Sequence, residues 1–233
     1  MQLDLHVHTR YSFDCAMDPE KLIRIARKRG LDGIAITDHN AIEGARETAR
    51  IAPDGFTVII GEEVSTTSGD ILGLFLREEI VTDDPIEAVD AIKAQGGVAI
   101  LPHPFARSVA IDEKVARKLD ACEGFNARYS RSRAIENNVG DELVVAFARQ
   151  YDLTLVASSD AHFYREIGRA RTIVPASNPD EIKDALLRGN TVLHGMRSSP
   201  LNRVASAVLK IARKMFNPVP EELARRSKPG ASK

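Results

Sequence analysis

Two histidines spaced two residues apart, His6 and His8, end a short apolar stretch at residues 3–9. In an extended strand, residues two apart lie on the same face, so both imidazoles are expected to point to one side. Two neutral imidazole nitrogens from one strand end can hold a divalent transition metal, and such a pair needs carboxylates and further histidines from elsewhere. The sequence therefore predicts a metal site around this pair.

Further candidate ligands follow other apolar runs. Five of the six histidines stand at predicted strand ends, and four carboxylates lie among them: His6, His8, His39, His103 and His162, with Asp14, Asp38, Glu63 and Asp160. A lone histidine after a strand is usually structural, as we interpret His194, but this clustering is not expected by chance. Asp38 is expected to orient His39 or a neighbour, or to cap the next helix. Strand alternation turns Glu62 away from the face of Glu63.

The elements that must position these side chains alternate between short apolar strands and helices about seven times. Strands are predicted at 3–9, 33–37, 56–60, 71–76, 98–101, 122–125, 153–157, 171–174 and 191–193, and helices at 18–30, 42–51, 86–95, 112–119, 133–151, after Asn178 and at 201–216. This order favours an α/β fold with a closed or nearly closed parallel barrel, and a doubly wound open sheet is the alternative. Only a barrel would bring the polar ends of so many strands to one rim.

Composition limits the function classes. A chain of 233 residues, 43% hydrophobic and 28% charged, can form one sizeable core, and its net charge of −1 gives no global field for nucleic acid or anionic membranes. The N-terminus lacks the pattern of a signal peptide and no apolar run could span a bilayer, so we expect a soluble, cytoplasmic protein. Cys15 and Cys122 are expected to be unpaired thiols.

Five motifs resemble those of the PHP (polymerase and histidinol phosphatase) superfamily. They are His6-x-His8-Thr9-x-Tyr11-Ser12, Ile36-Thr37-Asp38-His39-Asn40, Gly61-x-Glu63-Val64-Ser65, Pro102-His103-Pro104 and Ser159-Asp160-Ala161-His162. The resemblance implies a distorted (β/α)7 barrel with two or three metal ions at the C-terminal rim, and phosphoesterase activity. We expect this domain at residues 1–200, followed at 201–233 by a helix and a basic, loosely ordered tail.

The resemblance also implies which residues hold each ion. The expected ligands are His6, His8, Glu63 and Asp160 for the first metal, Glu63 and His103 for the second, and Asp14, His39 and His162 for the third. Asn126 stands where some relatives have another histidine for the second metal, and its amide oxygen is a weaker ligand than imidazole. Asp14 favours Mn²⁺ or Fe²⁺ over an all-nitrogen Zn²⁺ site.

The mechanism expected from such a centre is hydrolysis by a hydroxide held between metal ions, with in-line attack on phosphorus. We assign the catalytic roles to His8, Glu63 and Asp160. Substrate positioning is predicted for Arg107, Arg128 and Arg165, which follow strand ends and could bind a second phosphate; solvated surface arginines are the alternative.

The substrate is expected to be a small phosphorylated molecule, and no membrane and no obligate protein partner are indicated. Nucleoside 3′,5′-bisphosphates or short oligonucleotides are favoured by resemblance to small stand-alone relatives, and histidinol phosphate or sugar monophosphates are alternatives. A metal-dependent amidohydrolase is a further alternative, although no strand ends in the lysine that such enzymes usually carry. The last alternative is a non-catalytic scaffold. Basic residues beyond position 200 are interpreted as a solvated helix face and tail.

Overall fold

The structure is a computed structural model that describes residues 1–106, 112–136 and 141–216. Its ten strands are β1 (Gln2–Val7), β2 (Gly33–Ile36), β3 (Thr57–Thr66), β4 (Gly69–Leu74), β5 (Val98–Leu101), β6 (Ala121–Asn126), β7 (Ala134–Glu136), β8 (Thr154–Ser158), β9 (Ala170–Ile173) and β10 (Val192–Met196). The helices of the same ranges are α1 (Pro19–Lys28), α2 (Glu43–Ile51), α3 (Pro85–Ala94), α4 (Glu113–Ala116), α5 (Glu142–Tyr151), α6 (Pro179–Leu187) and α7 (Leu201–Phe216).

Three helices begin at the cap-plus-proline pairs that the sequence predicts. Asp18, Asp84 and Asn178 each accept a hydrogen bond from a backbone N–H of the first helical turn, and a proline follows each of them. The cap satisfies a donor that has no partner within the helix, and proline at the first position removes another. These predicted helix starts are confirmed.

The strands form one mixed sheet in the order β7-β10-β9-β1-β2-β3-β4-β5-β6-β8. The sheet curls, so that the chain leaving β8 returns beside β1: the backbone N–H of His8 donates to the carbonyl of Ala161 at 3.0 Å. The predicted α/β barrel is therefore confirmed as a curled half-barrel. β1 pairs in parallel with β2, and β6 pairs in parallel with both β5 and β8. A parallel bridge between Val7 and Ala161 joins the two groups, so the carboxyl ends of these strands meet at one rim.

The prediction that the barrel is parallel throughout was wrong. β4 runs antiparallel to both β3 and β5, because only residues 67–68 separate β3 from β4 and a parallel crossover needs a dozen or more residues. The expected ending of a strand at residue 60 was wrong for the same reason, since pairing with β4 carries β3 on to Thr66.

The last predicted βαβ unit is also antiparallel, because β9 pairs antiparallel with both β1 and β10. Between β9 and β10, α6 buries Ile182, Ala185 and Leu186 against residues from inside the barrel, including Leu3 and Leu5. The helix thus packs one face against the interior of the barrel and leaves the rest of its surface exposed, whereas a parallel crossover helix covers the outside of the sheet.

The long helix predicted at residues 133–151 was wrong in its first part. Ala134–Glu136 form β7, which pairs with β10, and α5 begins only after Asp141, whose carboxylate accepts from the N–H of Leu143. Residues 137–140 lie outside the described ranges. The predicted helix at 201–216 is confirmed as α7, whereas the predicted tail lies beyond the described residues. No helix in the described ranges is long and apolar enough to cross a bilayer.

A β-bulge in β1 sets the direction of the two histidines that follow it. The pairing of β1 with β2 shifts by one residue between Asp4 and Val7. Before the shift, Leu3 and Leu5 pack inside the barrel; after it, Val7 packs outside, against α1 and α2. The extra residue therefore turns His6 and His8 towards the interior of the barrel.

Candidate metal centre

Four of the predicted ligands converge at the carboxyl end of β1. Nε2 of His6 lies 3.0 Å from Nε2 of His8. The same two nitrogens lie 3.3 and 3.4 Å from Oε2 of Glu63, and 3.8 and 3.5 Å from Oδ1 of Asp160. Lone pairs of two imidazoles and two carboxylates thus face one point, which is an arrangement that suits a divalent cation.

Glu63 extends this cluster in two directions. Its Oε2 lies 3.0 Å from Nδ1 of His39, and its Oε1 lies 3.2 Å from Nε2 of His103. The two oxygens of one carboxylate therefore face different sets of histidines, as expected of a ligand shared between two ions. Glu62 points elsewhere and accepts from the backbone N–H of Ile80, as strand alternation predicts.

A third group lies beside the first. Oδ2 of Asp14 lies 3.1 Å from Nε2 of His162 and 3.7 Å from Nε2 of His39, and the rings of His8 and His162 are 4.1 Å apart. The other oxygen of Asp14, Oδ1, is buried with no hydrogen-bond partner among the described residues. A buried carboxylate oxygen without a donor is costly unless a cation occupies the site, so these residues fit a third ion.

The electrostatic surroundings prepare His8 and the two carboxylates to bind cations. Burial, and next the neighbouring His162, lower the pKa of His8 to about 3, so its ring is neutral at physiological pH. Burial alone would raise the pKa of Glu63 and of Asp160, but the surrounding histidines hold both well below the usual carboxyl range. Neutral imidazole and ionised carboxylate are the protonation states that bind metal. For His6, His39, His103 and His162, burial alone would lower the pKa, but the neighbouring carboxylates raise it, for His162 to about 9, so a bound cation would displace a proton from these rings.

Two of these ligands have unusual backbone conformations. The φ angles of His103 and Asp160 are +32° and +54°, in the left-handed region that side chains other than glycine seldom adopt. Both residues follow the ends of strands, β5 and β8, where the chain turns sharply over the rim. Such conformations persist where the surrounding structure enforces them, often at functional sites.

The comparisons with known proteins agree with this geometry. The sequence model of the PHP domain family matches residues 4–188. The chain belongs to the PHP domain family. This PHP domain is similar to two uncharacterized proteins of Methanocaldococcus jannaschii, MJ1587 and MJ0417. It is 40% identical to MJ1587 over 59% of this chain and 88% of the relative, and 36% identical to MJ0417 over 73% of this chain and 69% of the relative.

A solved structure shares the fold of this PHP domain. It is a two-domain protein from Bacteroides vulgatus that contains a predicted PHP-like metal-dependent phosphoesterase. The TM-score is 0.68 at 19% identity, over 84% of this chain and 65% of that longer chain. The predicted PHP-type distorted barrel is therefore confirmed.

Asn126 does not present its amide oxygen to the cluster of this PHP domain. That oxygen accepts from the backbone N–H groups of Arg128 and Tyr129, at 2.9 and 3.2 Å. The amide nitrogen donates to Glu123 at 2.7 Å and to Asp160 at 3.3 Å. An amide N–H₂ group is not a metal ligand, so the structure places Asn126 as a donor that orients carboxylates, in contrast to its expected role at the second metal.

Asp70 stands near the second metal position and was missed in the sequence. It lies on β4, and one of its carboxylate oxygens is within 4.8 Å of ligand atoms of both Glu63 and His103. The PHP domain thus has a further carboxylate near Glu63 and His103, the two ligands expected for the second metal. The signal in the sequence is weak, because Asp70 lies at the start of an apolar strand, whereas the other ligands stand at or after the end of one.

Glu123 is the second residue that the sequence reading missed. It is buried on β6, where Oε1 accepts from Nδ1 of His6 at 3.0 Å and from the hydroxyl of Ser158. Its Oε2 accepts from the backbone N–H of His103 at 2.6 Å and from Asn126. One carboxylate therefore orients two ligand-bearing segments, and the available signal was a lone acidic residue inside an apolar strand.

Asp38 is linked to His8 through Ser12, whereas the sequence predicts that it orients His39 or a neighbour, or caps the next helix. Its Oδ1 accepts from the hydroxyl of Ser12 at 2.8 Å, and the Ser12 oxygen lies 2.9 Å from Nδ1 of His8. Asp38 also accepts from the N–H and the hydroxyl of Thr9, both at 2.6 Å. This chain of hydrogen bonds leaves Nε2 of His8 as the nitrogen that faces the cluster.

The three predicted substrate-binding arginines have different surroundings. Arg128 is buried beside the cluster, where Nη1 lies 3.4 Å from Glu166 and 3.5 Å from the carbonyl of Asp160. Arg165 is exposed, and its guanidinium lies 5.4 Å from the ring centre of Phe163, outside the cavity above the metal-ligand cluster. Arg107 lies outside the described residues. Of the two described arginines, only Arg128 therefore lies at the site. The exposed His194 lies away from it, on β10.

A cavity of about 780 Å³ opens above the cluster. Its floor includes Asp14, His39, Glu63, His103, Asp160 and His162. Residues of α7 form part of its wall, so the helix lies at the mouth of the site. A volume of this size accommodates a small organic phosphate.

Proposed function

We propose that this PHP domain is a metal-dependent phosphoesterase that hydrolyses small phosphorylated substrates, with nucleoside 3′,5′-bisphosphates or short oligonucleotides as the favoured class. The observation that carries the proposal is the position of Glu63, whose two oxygens face different histidines at 3.0 to 3.4 Å. A carboxylate shared in this way supports a multinuclear centre at the base of a cavity large enough for a nucleotide.

The residues are proposed to hold two or three divalent ions, of Mn, Fe or Zn. His6, His8, Glu63 and Asp160 would bind the first ion, Glu63, His103 and Asp70 the second, and Asp14, His39 and His162 the third. Bound ions would supply an activated water and neutralise charge on the phosphoryl oxygens.

The side chains around the ligands would perform the remaining tasks. Glu123 and Ser12 accept from Nδ1 of His6 and His8 and so keep both rings in one orientation. Arg128 contributes a permanent positive charge beside Asp160, next to the place where a phosphoryl group would bind. Phe13 and Tyr129 cover the rings of His39 and His103 and limit access of water from these sides.

The alternative of a metal-dependent amidohydrolase has little support from the described residues. Lys93, which the sequence places inside a predicted helix, lies on α3 and pairs with Asp120 at 2.8 Å. It is therefore on a helix exterior and not at the carboxyl end of a strand.

The experiment compares wild type with His8→Ala and, as a matched control, His194→Ala. Each protein is purified, loaded with Mn²⁺ and assayed for release of p-nitrophenol from a nitrophenyl phosphate, then for phosphate release from nucleotides, bisphosphates, short oligonucleotides and sugar phosphates. We expect His8→Ala to abolish activity with an unchanged circular dichroism spectrum and His194→Ala to retain it. Equal rates in wild type and His8→Ala, or no hydrolysis of any phosphate ester, would overturn the proposal.

A further inference from the structure

Helix α7 is fixed across the mouth of the cavity by two buried polar contacts. Asn202 donates to Oε1 of Glu166 at 2.8 Å, and Arg128 donates to the hydroxyl of Ser206 at 3.0 Å. Asn202 and Ser206 are four residues apart and both are buried, so they define the face of α7 that lies on the domain. Cavity-lining residues of the helix are therefore presented at a defined place.

Two of those residues are cations. Arg203 and Lys210 both line the cavity and both side chains are exposed. They are seven positions apart, which is close to two helical turns, or about 10 Å along the axis. Within the described residues, neither forms an ion pair with a carboxylate, whereas Arg10, Lys93 and Lys118 elsewhere on the surface do.

Each cation stands on an aromatic ring that packs in turn against a candidate metal ligand. The guanidinium of Arg203 lies 4.7 Å from the ring centre of Tyr129, which is 4.9 Å from the ring of His103. On the other side, Nζ of Lys210 lies 4.3 Å from the ring of Phe13, which stacks on His39 at 4.8 Å and 13°.

These rings hold both cations at the cavity without neutralising them. A cation above an aromatic face is attracted by the ring quadrupole, but the ring carries no net charge. Arg203 and Lys210 therefore keep their positive charge for a ligand. One aromatic ring separates Arg203 from His103, and another separates Lys210 from His39. A group bound by both cations would therefore lie outside the metal-ligand cluster, where a phosphate other than the one that is cleaved can lie.

We infer that Arg203 and Lys210 form an anion subsite that binds a second phosphate of the substrate, one that is not hydrolysed. The inference rests on the proposed function and deepens it, because it selects substrates with two phosphates on one nucleoside, or a 5′-phosphorylated dinucleotide, over simple monophosphates. Binding energy from a remote phosphate would lower KM without changing the chemistry at the reacting phosphorus.

The test uses the full chain loaded with Mn²⁺ and the double variant Arg203→Met/Lys210→Met, which removes both charges and keeps the side chains long. Arg188→Met is the control, since Arg188 is an exposed arginine that directly follows α6 and lies outside the cavity. Substrates are adenosine 3′,5′-bisphosphate, 5′-phosphorylated dinucleotide and adenosine 3′-monophosphate. We expect the double variant to raise KM for the substrate with the second phosphate about 10- to 100-fold with kcat within about twofold, and to change the monophosphate little.

The increase in KM caused by the double variant is compared between the bisphosphate and the dinucleotide. The larger increase identifies the substrate whose second phosphate the subsite fits. Arg203→Lys/Lys210→Arg should restore most of the lost affinity, because it restores both charges. Equal KM values in wild type and double variant, or equal losses with monophosphate and bisphosphate, would overturn the inference.

Failure of the proposed function is recognised separately, as absence of hydrolysis of every ester by wild type. In that case, the subsite is tested by titration calorimetry with adenosine 3′,5′-bisphosphate and the monophosphate. A preference of wild type for the bisphosphate that the double variant lacks would support the subsite. Indistinguishable binding of the bisphosphate by the two proteins would overturn it.

Discussion

Nδ1 of His6 donates to Oε1 of Glu123 across 3.0 Å, although the two residues are 117 positions apart in the chain. The contact fixes which ring nitrogen carries the proton, so that Nε2 is the one presented to His8, Glu63 and Asp160. Because Glu123 also accepts from the N–H of His103, ligands assigned to two different ions depend on one buried carboxylate.

Glu123→Gln is expected to weaken metal binding about 10- to 100-fold, because loss of a carboxylate that orients ligand histidines typically has an effect of this size. Competition with a coloured chelator measures the affinity, and Glu113→Gln, an exposed change on α4, is the control. Metal affinity equal to that of wild type would show that Glu123 does not orient these ligands.

Gly44→Ala tests the hydrogen-bond chain from Asp38 through Ser12 to His8. A Cβ atom at position 44 would meet Oδ2 of Asp38 and the hydroxyl of Thr9. We expect a loss of stability on the order of 2 kcal/mol in urea unfolding, together with weaker metal binding. Ser12→Ala removes the link without adding volume, and it should weaken metal binding with a smaller loss of stability. Unchanged metal affinity in both variants would contradict the role assigned to the chain.

Removal of metal should lower the melting temperature. At a free metal concentration of 100 times Kd, binding stabilises the folded state by about 2.7 kcal/mol, which corresponds to roughly 5 to 10 °C for a domain of this size. Differential scanning fluorimetry with and without a chelator measures the shift, and chelator already saturated with metal is the control. Coincident melting curves would argue against a metal centre in the folded state.

Neither thiol should react in the folded protein. Burial, with a further contribution from Glu123, raises the pKa of Cys122 from 9.0 to about 12, so the reactive thiolate is absent between pH 7 and 9. Cys15 is fully buried. A thiol reagent at pH 8 should therefore modify neither residue before unfolding and both in concentrated urea. Rapid modification of native protein at Cys122 would contradict its burial.

Local sequence signals predicted the parts of the fold and site that depend on neighbouring residues. The proline-containing caps at Asp18 and Asp84 and the pairing of His6 with His8 are of this kind, and each was found where expected. The sequence did not predict that β4 and β9 each run antiparallel to their own neighbours, because an apolar run of four to six residues does not specify the direction of its partner strand.

Residues that act across the barrel were the ones missed. Glu123 and Asp70 lie beside the ligand cluster only because the sheet curls, and the sequence alone does not show how close two strands on different sides of the barrel come. Arg203 and Lys210 were interpreted as a solvated face because helix periodicity shows which residues share a face but not what that face covers. Asn126 followed a strand as the ligands do, yet its amide group is turned by the backbone N–H groups of Arg128 and Tyr129.

The left-handed backbone at His103 and Asp160 has an evolutionary consequence. Glycine would adopt these φ angles without steric strain, so the fold by itself would favour glycine at both positions. Selection for the imidazole and the carboxylate opposes that substitution, as does the larger conformational entropy that glycine loses on folding. In a lineage that no longer needed to bind ions, glycine at these two positions would relieve the backbone while it erased the centre.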